Sequence, residues 1–379
     1  MDMIRQVTNL DIKEFMNNIQ IISESGKTNY KLNRLENENS LFLWYKTGPG
    51  QFKVEPIIIP KSILLDDETF IIFGLIQAET YKNLKSSNFQ FINSNPELIT
   101  RVLIYFVKKW KISINHCSLE VTYWRPDFEN KKAFLEGFWK DKTKINNVNI
   151  RKGTEYRLSN KAEEYGVASL RINNRILTVL MLEFHFKVIR NLVENNNDYL
   201  SLYLRGLFEG DGILGREKGL FRYLGLAFNP ESDELFHYKK LLRNIGLDLN
   251  LTKIQDKKIR CILFGGWNEI YKFLKITNGE IFLDREKNKI IVRGFLTNQY
   301  VIPLLRLRKL ARLQEISTVT YATIFKTTKR SAIDCLKRLC KLRFLECNNT
   351  KKCFSFRLTN KGKEFLDSIK SIEGVLNDY

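Results

Sequence analysis

Two stretches of the chain carry residues that could do metal-dependent chemistry: Ile72-Phe73-Gly74-Leu75-Ile76-Gln77-Ala78-Glu79-Thr80 and Leu204-Arg205-Gly206-Leu207-Phe208-Glu209-Gly210-Asp211-Gly212. In each, small residues recur four apart, Gly74 with Ala78 and Gly206 with Gly210, so one face of a helix built from them nearly loses its side chains. Glycine inside a helix costs about 0.5–1 kcal/mol. Two such helices imply a compensating contact, closer than the usual ~8–10 Å between axes. An acid follows each small face, Glu79 in one and Asp211 in the other. Packed about a pseudo-two-fold, the two carboxylates would stand side by side at helix C-termini, where the dipole disfavours anions. Divalent ions that neutralise them, with a phosphodiester supplying further oxygen ligands, make chemical sense of the arrangement. The chemistry is metal-assisted phosphodiester hydrolysis.

The surrounding elements recur as well. A helix over 70–79 is followed by a strand over 89–93 and by a helix with Asn95 as cap, Pro96 in its first turn and Glu97 at the positive end of its dipole. Later come a helix over 200–210, a polar hairpin-like stretch, a strand over 223–228, and Asn229-Pro230-Glu231 opening a helix that runs to 244. The chain thus contains a divergent two-copy repeat, which suggests a pseudo-two-fold domain. Between the copies lie a strand over 119–124, a helix over 129–140, a strand over 167–172 and a helix over 177–193. The second copy continues with strands over 249–254 and 259–264 and a helix over 267–275. Residues 1–65 form an N-terminal segment of unknown role: a polar helix-like start, a strand over 41–45, a turn at Gly48-Pro49-Gly50 and an apolar run over 57–59.

The second stretch, read as LRGLFEGDG, resembles the signature of the LAGLIDADG family, and the first, IFGLIQAET, resembles it loosely. In the first, Gln77 stands where the signature is usually acidic, Thr80 replaces the final glycine, and the hairpin that follows is short. The resemblance implies a two-repeat, single-chain protein of the homing-endonuclease type: an α+β fold with a pseudo-two-fold core of αββαββα repeats and saddle-shaped sheets. Residues 66–198 would be the first repeat, divergent and with an insertion, and 199–296 the second. Carried over by position, Glu79 and Asp211 would hold Mg2+ (or Mn2+) as catalytic residues. Lys275 is the candidate for the basic residue that the family places near its metals. The family's strands sit as a saddle on double-stranded DNA, with alternate side chains toward the groove. Candidates are Lys82, Lys85 and Gln90 in the first copy, and Arg216, Arg222, Lys253, Lys257 and Arg260 in the second.

Residues 303–372 read as a separate domain. Helices are expected over 304–314, 321–325 and 329–342, the last capped by Thr328. Ile333, Leu336, Leu339 and Cys340 hold one face of that helix and leave Lys329, Arg330, Lys337, Arg338 and Lys341 exposed. A strand over 344–347, a turn at Asn348-Asn349-Thr350 with Lys351 and Lys352, a strand over 354–358 and a helix over 361–369 complete it. The order resembles a winged helix-turn-helix domain, with 329–342 as recognition helix and Lys351-Lys352 as wing tip on phosphate.

The composition agrees with a nucleic-acid partner. In 379 residues, 62 Lys+Arg face 42 Asp+Glu, a net charge of +20 spread along the chain, which calls for a polyanion. A hydrophobic fraction of 44% can supply a core and argues against a disordered basic tail. The best apolar run, 70–76, falls far short of the ~18 residues of a membrane helix, and the first residues lack the apolar core of a secretory signal. No membrane role and an intracellular location are expected. Six cysteines without a C-x2-C pair and three scattered histidines read as reduced thiols and core residues, not as a zinc site. The leading reading is a monomeric site-specific DNA endonuclease. The alternatives are a DNA-binding transcription regulator that uses the same core only as a platform, and an RNA-splicing maturase bound to structured intron RNA.

Overall fold

The computed structural model describes residues 8–16, 19–22, 29–46, 56–80, 82–153, 164–217, 220–229, 233–247, 251–252, 260–350 and 353–377. Its internal contacts divide it into two units, Met1–Asp211 and Gly212–Tyr379. The fold is mixed α+β.

Unit 1 opens with short strands β1 (Thr8–Asp11), β2 (Gln20–Ile22), β3 (Asn29–Lys31), β4 (Asn33–Glu36), β5 (Ser40–Trp44), β6 (Ile57–Pro60) and β7 (Ser62–Leu65), with helix α1 (Ile12–Met16) after β1. They pair as β1-β7, β2-β3 and β4-β5-β6, all antiparallel. The polar start expected to be helical is extended over β1 because it is held in register by β7. β5 alternates as a half-buried strand should, with Leu41 and Leu43 inward. The turn expected at Gly48-Pro49-Gly50 lies outside the described residues.

Helix α2 (Asp67–Glu79) begins a turn earlier than its apolar run, because the Asp66 carboxylate accepts the Thr69 N–H at 3.1 Å and Asp67 and Glu68 favour the first turn. Everything from Thr69 to Gln77 is buried. Then follow β8 (Phe89–Asn93), α3 (Pro96–Lys109), β9 (Cys117–Tyr123), α4 (Phe128–Thr143), β10 (Val148–Lys152), β11 (Val167–Ile172), α5 (Arg175–Phe184), a π-helical turn (His185–Ile189), α6 (Arg190–Asn195) and α7 (Asn197–Asp211). Asn95 caps α3 as expected, accepting the Glu97 N–H at 2.9 Å. Arg101 on α3 grips Glu68 on α2 through two bonds of 2.7 and 2.6 Å. The helix expected over 177–193 is present, running without a break through α5, the π-helical turn and α6.

The four strands stand in the order β10-β9-β11-β8, with β10 parallel to β9 and the other pairs antiparallel. Phe91 on β8 is paired on both sides, with Leu170 of β11 and, through an isolated bridge, with Thr80 just after α2. Among the described residues, the Thr80 bridge is what stands at the place of a first strand. The Asn83 side chain accepts the Lys85 N–H at 2.9 Å and its carbonyl accepts the Ser86 N–H, so a turn takes the place of the hairpin. The resemblance implied αββαββα here; among the described residues only the Thr80 bridge stands in place of the first strand, and α4 and β10 are set between β9 and β11.

Unit 2 follows the expected strand order more closely: β12 (Gly212–Glu217), β13 (Leu220–Phe228), α8 (Glu234–Asn244), β14 (Leu251–Thr252), β15 (Arg260–Phe264) and α9 (Trp267–Ile276), in an antiparallel sheet β12-β13-β15-β14. Pro230 and Glu231, expected to open α8, lie outside the described residues. Next comes α10 (Arg285–Leu296), which sequence reading did not foresee; Asp284 caps it, and Ile291, Val292 and Phe295 are buried.

The remainder is α11 (Ile302–Leu305), α12 (Leu307–Leu310), β16 (Ile316–Ser317), α13 (Thr318–Ile324), α14 (Lys329–Lys341), β17 (Leu345–Thr350), β18 (Cys353–Leu358) and α15 (Asn360–Glu373), with sheet order β16-β18-β17. The single helix expected over 304–314 is two short turns. Val301, Leu304, Leu307 and Leu310 are all fully buried, and that spacing of three suits tight turns better than a 3.6-residue helix.

Candidate active site

The site begins with two glycines that leave no room for a side chain. A Cβ on Gly74 would lie 2.8 Å from the Leu207 nitrogen and against the Tyr203 carbonyl; one on Gly206 would lie 2.9 Å from the Leu75 nitrogen and against the Ile71 carbonyl. Helices α2 and α7 therefore touch backbone to backbone, which offsets the helical cost of glycine. One turn on, a Cβ at Gly210 would meet Ala78, and would sit 2.9 Å from Glu79 Cγ and 3.4 Å from Glu79 Oε1. The Glu79 carboxylate thus lies against the main chain that leads directly into Asp211. The four small residues expected at this interface, Gly74, Ala78, Gly206 and Gly210, all stand on it.

Glu79 is half-buried, and burial pushes its carboxyl up to about 7 despite two groups that favour the charged form, the Asn93 amide and the Lys82 ammonium. Asn93 Nδ2 donates to Glu79 Oε1 at 2.8 Å. Asn93 Oδ1 meanwhile accepts the Asn95 N–H at 2.8 Å, which fixes the amide with its NH2 toward the acid. Asp211 ends α7, half-buried. A half-buried carboxyl that resists ionisation thus lies against the backbone that leads into a second acid at a helix C-terminus, and carboxylate oxygens are the donors a hard divalent cation takes. Among the described residues no group of three or more His, Cys, Asp and Glu could hold a metal.

The polar position ahead of Glu79 is also engaged. Gln77 is fully buried; its Oε1 accepts from Arg190 at 2.8 Å and from Tyr203 OH at 3.4 Å. The guanidinium reaches it from the start of α6, just past the π-helical turn.

The other expected residues are more scattered. Lys82 is half-exposed and Lys85 exposed on the loop after α2, and Gln90 donates to Ser169 Oγ at 2.8 Å on the sheet face away from the core. Arg216 and Arg222 are exposed; Arg222 pairs with Glu217 at 2.9 Å and shares the alternation of the buried Leu224 and Leu226. Lys275 is exposed in the last turn of α9, in unit 2. Lys253, Lys257, Lys351 and Lys352 lie outside the described residues, as does the Arg260 side chain. On α14, Lys329, Arg330, Lys337 and Lys341 are exposed and Thr328 caps the helix, accepting the Ser331 N–H at 3.2 Å. Arg338, expected to be exposed, is half-buried because its guanidinium lies over the Tyr300 ring at 5.5 Å. Ala332, with Leu336 and Leu339, forms the buried face, while Ile333 and Cys340 sit at its margin.

Asn93 was not singled out from the sequence, although a signal exists. Phe89 and Phe91 face the core, and Asn93 continues their parity, so a polar residue stands on the buried phase of an apolar strand.

No protein-family model matches the sequence, and no match is found among curated proteins. Among solved structures the chain is distantly similar to full-length DUF199/WhiA from Thermatoga maritima, with 14% identity over 73% of this chain and 92% of that one and a TM-score of 0.34. It is similar also to the homing endonuclease I-DmoI in complex with DNA and Ca, with 15% identity, 59% and 96% coverage and a TM-score of 0.30. For a variant of the meganuclease I-SmaMI the values are 12%, 65%, 97% and 0.28. Cys117 and Cys261 are buried, and among the described residues no helix is long and apolar enough to cross a membrane.

Proposed function

We propose that the chain is a site-specific DNA-binding protein with a LAGLIDADG-type core that hydrolyses DNA phosphodiesters with a divalent metal. The observation that carries this reading is Glu79, a carboxyl withdrawn from water, aimed by Asn93 and set against the backbone entering Asp211. A platform that only binds DNA gains nothing from a buried acid, since a glutamine of the same shape avoids the desolvation penalty. A cation site gains its ligand. Glu79 and Asp211 hold Mg2+ or Mn2+, Asn93 keeps the Glu79 carboxylate in place, and Lys82 favours its ionised form. The bound ion supplies positive charge to the phosphodiester and to the charge that develops on it. Both signature helices come from one chain, so the core acts as a monomer. The excess of +20 provides salt-sensitive attraction to duplex DNA.

A second reading, a transcription regulator, is favoured by α14, whose exposed Lys329, Arg330, Lys337 and Lys341 follow α13 and precede the β17-β18 hairpin in the order of a winged helix-turn-helix. The purified protein is incubated with source genomic DNA and Mg2+ or Mn2+ at low salt, and new ends are mapped beside a Glu79→Gln/Asp211→Asn control. Discrete ends absent from the control are expected; specific binding without cutting would overturn the nuclease in favour of the regulator. Preference for structured intron RNA over duplex DNA would instead point to a maturase.

A further inference from the structure

The four-stranded sheet of unit 1 has one face under its helices and one that is polar. Along β9, Cys117, Leu119, Val121 and Tyr123 are buried, while Ser118, Glu120 and Thr122 alternate on the other side. The register carries that side across the sheet. Glu120 stands opposite Asn149 on β10 and Ser169 on β11, Thr122 opposite Arg151, and Ser118 opposite Arg171, which in turn faces Gln90 on β8. At the centre, Glu120 Oε2 lies 2.8 Å from Arg151 Nη2 and Oε1 lies 3.2 Å from Arg171 Nη2. One carboxylate therefore holds two guanidiniums, one from each neighbouring strand. Arg171 Nε is buried and has no hydrogen-bond partner among the described residues.

Arg151 is exposed while Glu120 and Arg171 are half-buried, so pairing with Arg151 adds little stability to the cluster. Its effect is geometric. Two long side chains that would otherwise sample many rotamers are held at a fixed spacing, and one carboxylate engages only part of the ten N–H donors they carry between them, by about five each. A planar donor fork of this kind matches the O6 and N7 acceptors of guanine in the major groove. The carboxylate also repels phosphates, so the face is less suited to indiscriminate seating on the DNA backbone. We propose that Arg151 and Arg171 read guanines and that Glu120 is their positioning residue. The proposal rests on the DNA-binding reading above and names where part of its specificity lies. The strand β10, absent from the pattern of unit 2, brings the first of the two arginines to the face.

The test is selection of binding sites from a randomised duplex pool by the full-length protein in EDTA, for wild type, Arg151→Gln, Arg171→Gln, Glu120→Gln and Glu120→Asp. Wild type should enrich a site containing guanines. Arg151→Gln should lose the preference at one base pair and Arg171→Gln at another, by about tenfold each. Glu120→Gln should relax both positions while binding random duplex at least as well as wild type, and Glu120→Asp should recover part of the preference. Because the Arg151 side chain is 57% exposed, its variant tests the idea without disturbing the fold. An enriched wild-type site that all four variants select unchanged would overturn this proposal alone. No enriched duplex site for wild type would overturn the DNA-binding reading, and this proposal with it.

Discussion

Glu79→Gln should stabilise the metal-free protein at high pH and leave it unchanged at low pH. The Glu79 carboxyl titrates at about 7 in the folded protein against 4.5 for an ordinary glutamate, chiefly through burial. Between those values the folded chain keeps a proton that the unfolded chain has released, so stability falls as pH rises through the window. The full loss is reached above pH 7 and amounts to up to about 3 kcal/mol at ~1.4 kcal/mol per pH unit. Glutamine keeps the shape and the acceptor for Asn93, and it cannot ionise. For a unit of this size the difference corresponds to roughly 6–12 °C in melting temperature. Calorimetry of the full chain in EDTA should show coincident melting at pH 4.5 and a variant more stable by that amount at pH 8.5. Added Mg2+ should then raise the wild-type transition at pH 8.5 and leave that of the variant in place. A gap independent of pH, or a wild type more stable at pH 8.5 without metal, would refute the picture of a buried carboxyl waiting for a cation.

Other outcomes follow from the same geometry. Gly206→Ala places a methyl against the Ile71 carbonyl and should destabilise by about 1–3 kcal/mol, whereas Gly137→Ala, in α4 with nothing within 4 Å, should stabilise by about 0.5–1 kcal/mol; thermal melts compare them. Asn93→Ala removes a donor to the Glu79 carboxylate and should move its titration still higher, so that half-maximal Mg2+ binding shifts to higher pH; an unchanged pH midpoint would count against the bond. Lys329→Ala/Arg330→Ala on α14 should weaken DNA binding uniformly across sequences and reduce the slope of log K against log salt by up to about 2, as read by fluorescence anisotropy across a salt series.

The parts of the fold that follow from short-range chemistry were legible in the sequence. Gly74, Ala78, Gly206 and Gly210 announced a close helix contact by spacing alone, and the caps Asn95 and Thr328 marked helix starts that the structure keeps. Strands β8 and β11 were legible to the residue. What escaped depends on partners distant in sequence. β10 buries Ile150 alone and is a strand only because β9 lies beside it. The turn at Asn83, which follows the Thr80 bridge, is set by side-chain and backbone hydrogen bonds and not by any apolar pattern. Asn93 and the group around Glu120 are defined by what stands opposite them, and no run of neighbouring residues shows it.

Because α2 and α7 meet main chain to main chain at Gly74 and Gly206, the gap between them is gauged by bonded atoms and not by side-chain rotamers. Repacking elsewhere in unit 1 can shift a leucine or a phenylalanine without changing that gauge, and the acids that follow inherit its precision. A chimera grafting a foreign α7 onto this α2 would succeed or fail on the clearance of a single methyl group. The strands carry no such restriction on their polar face. Their outward residues can be exchanged while the spacing of Glu79 and the chain entering Asp211 stays as it is.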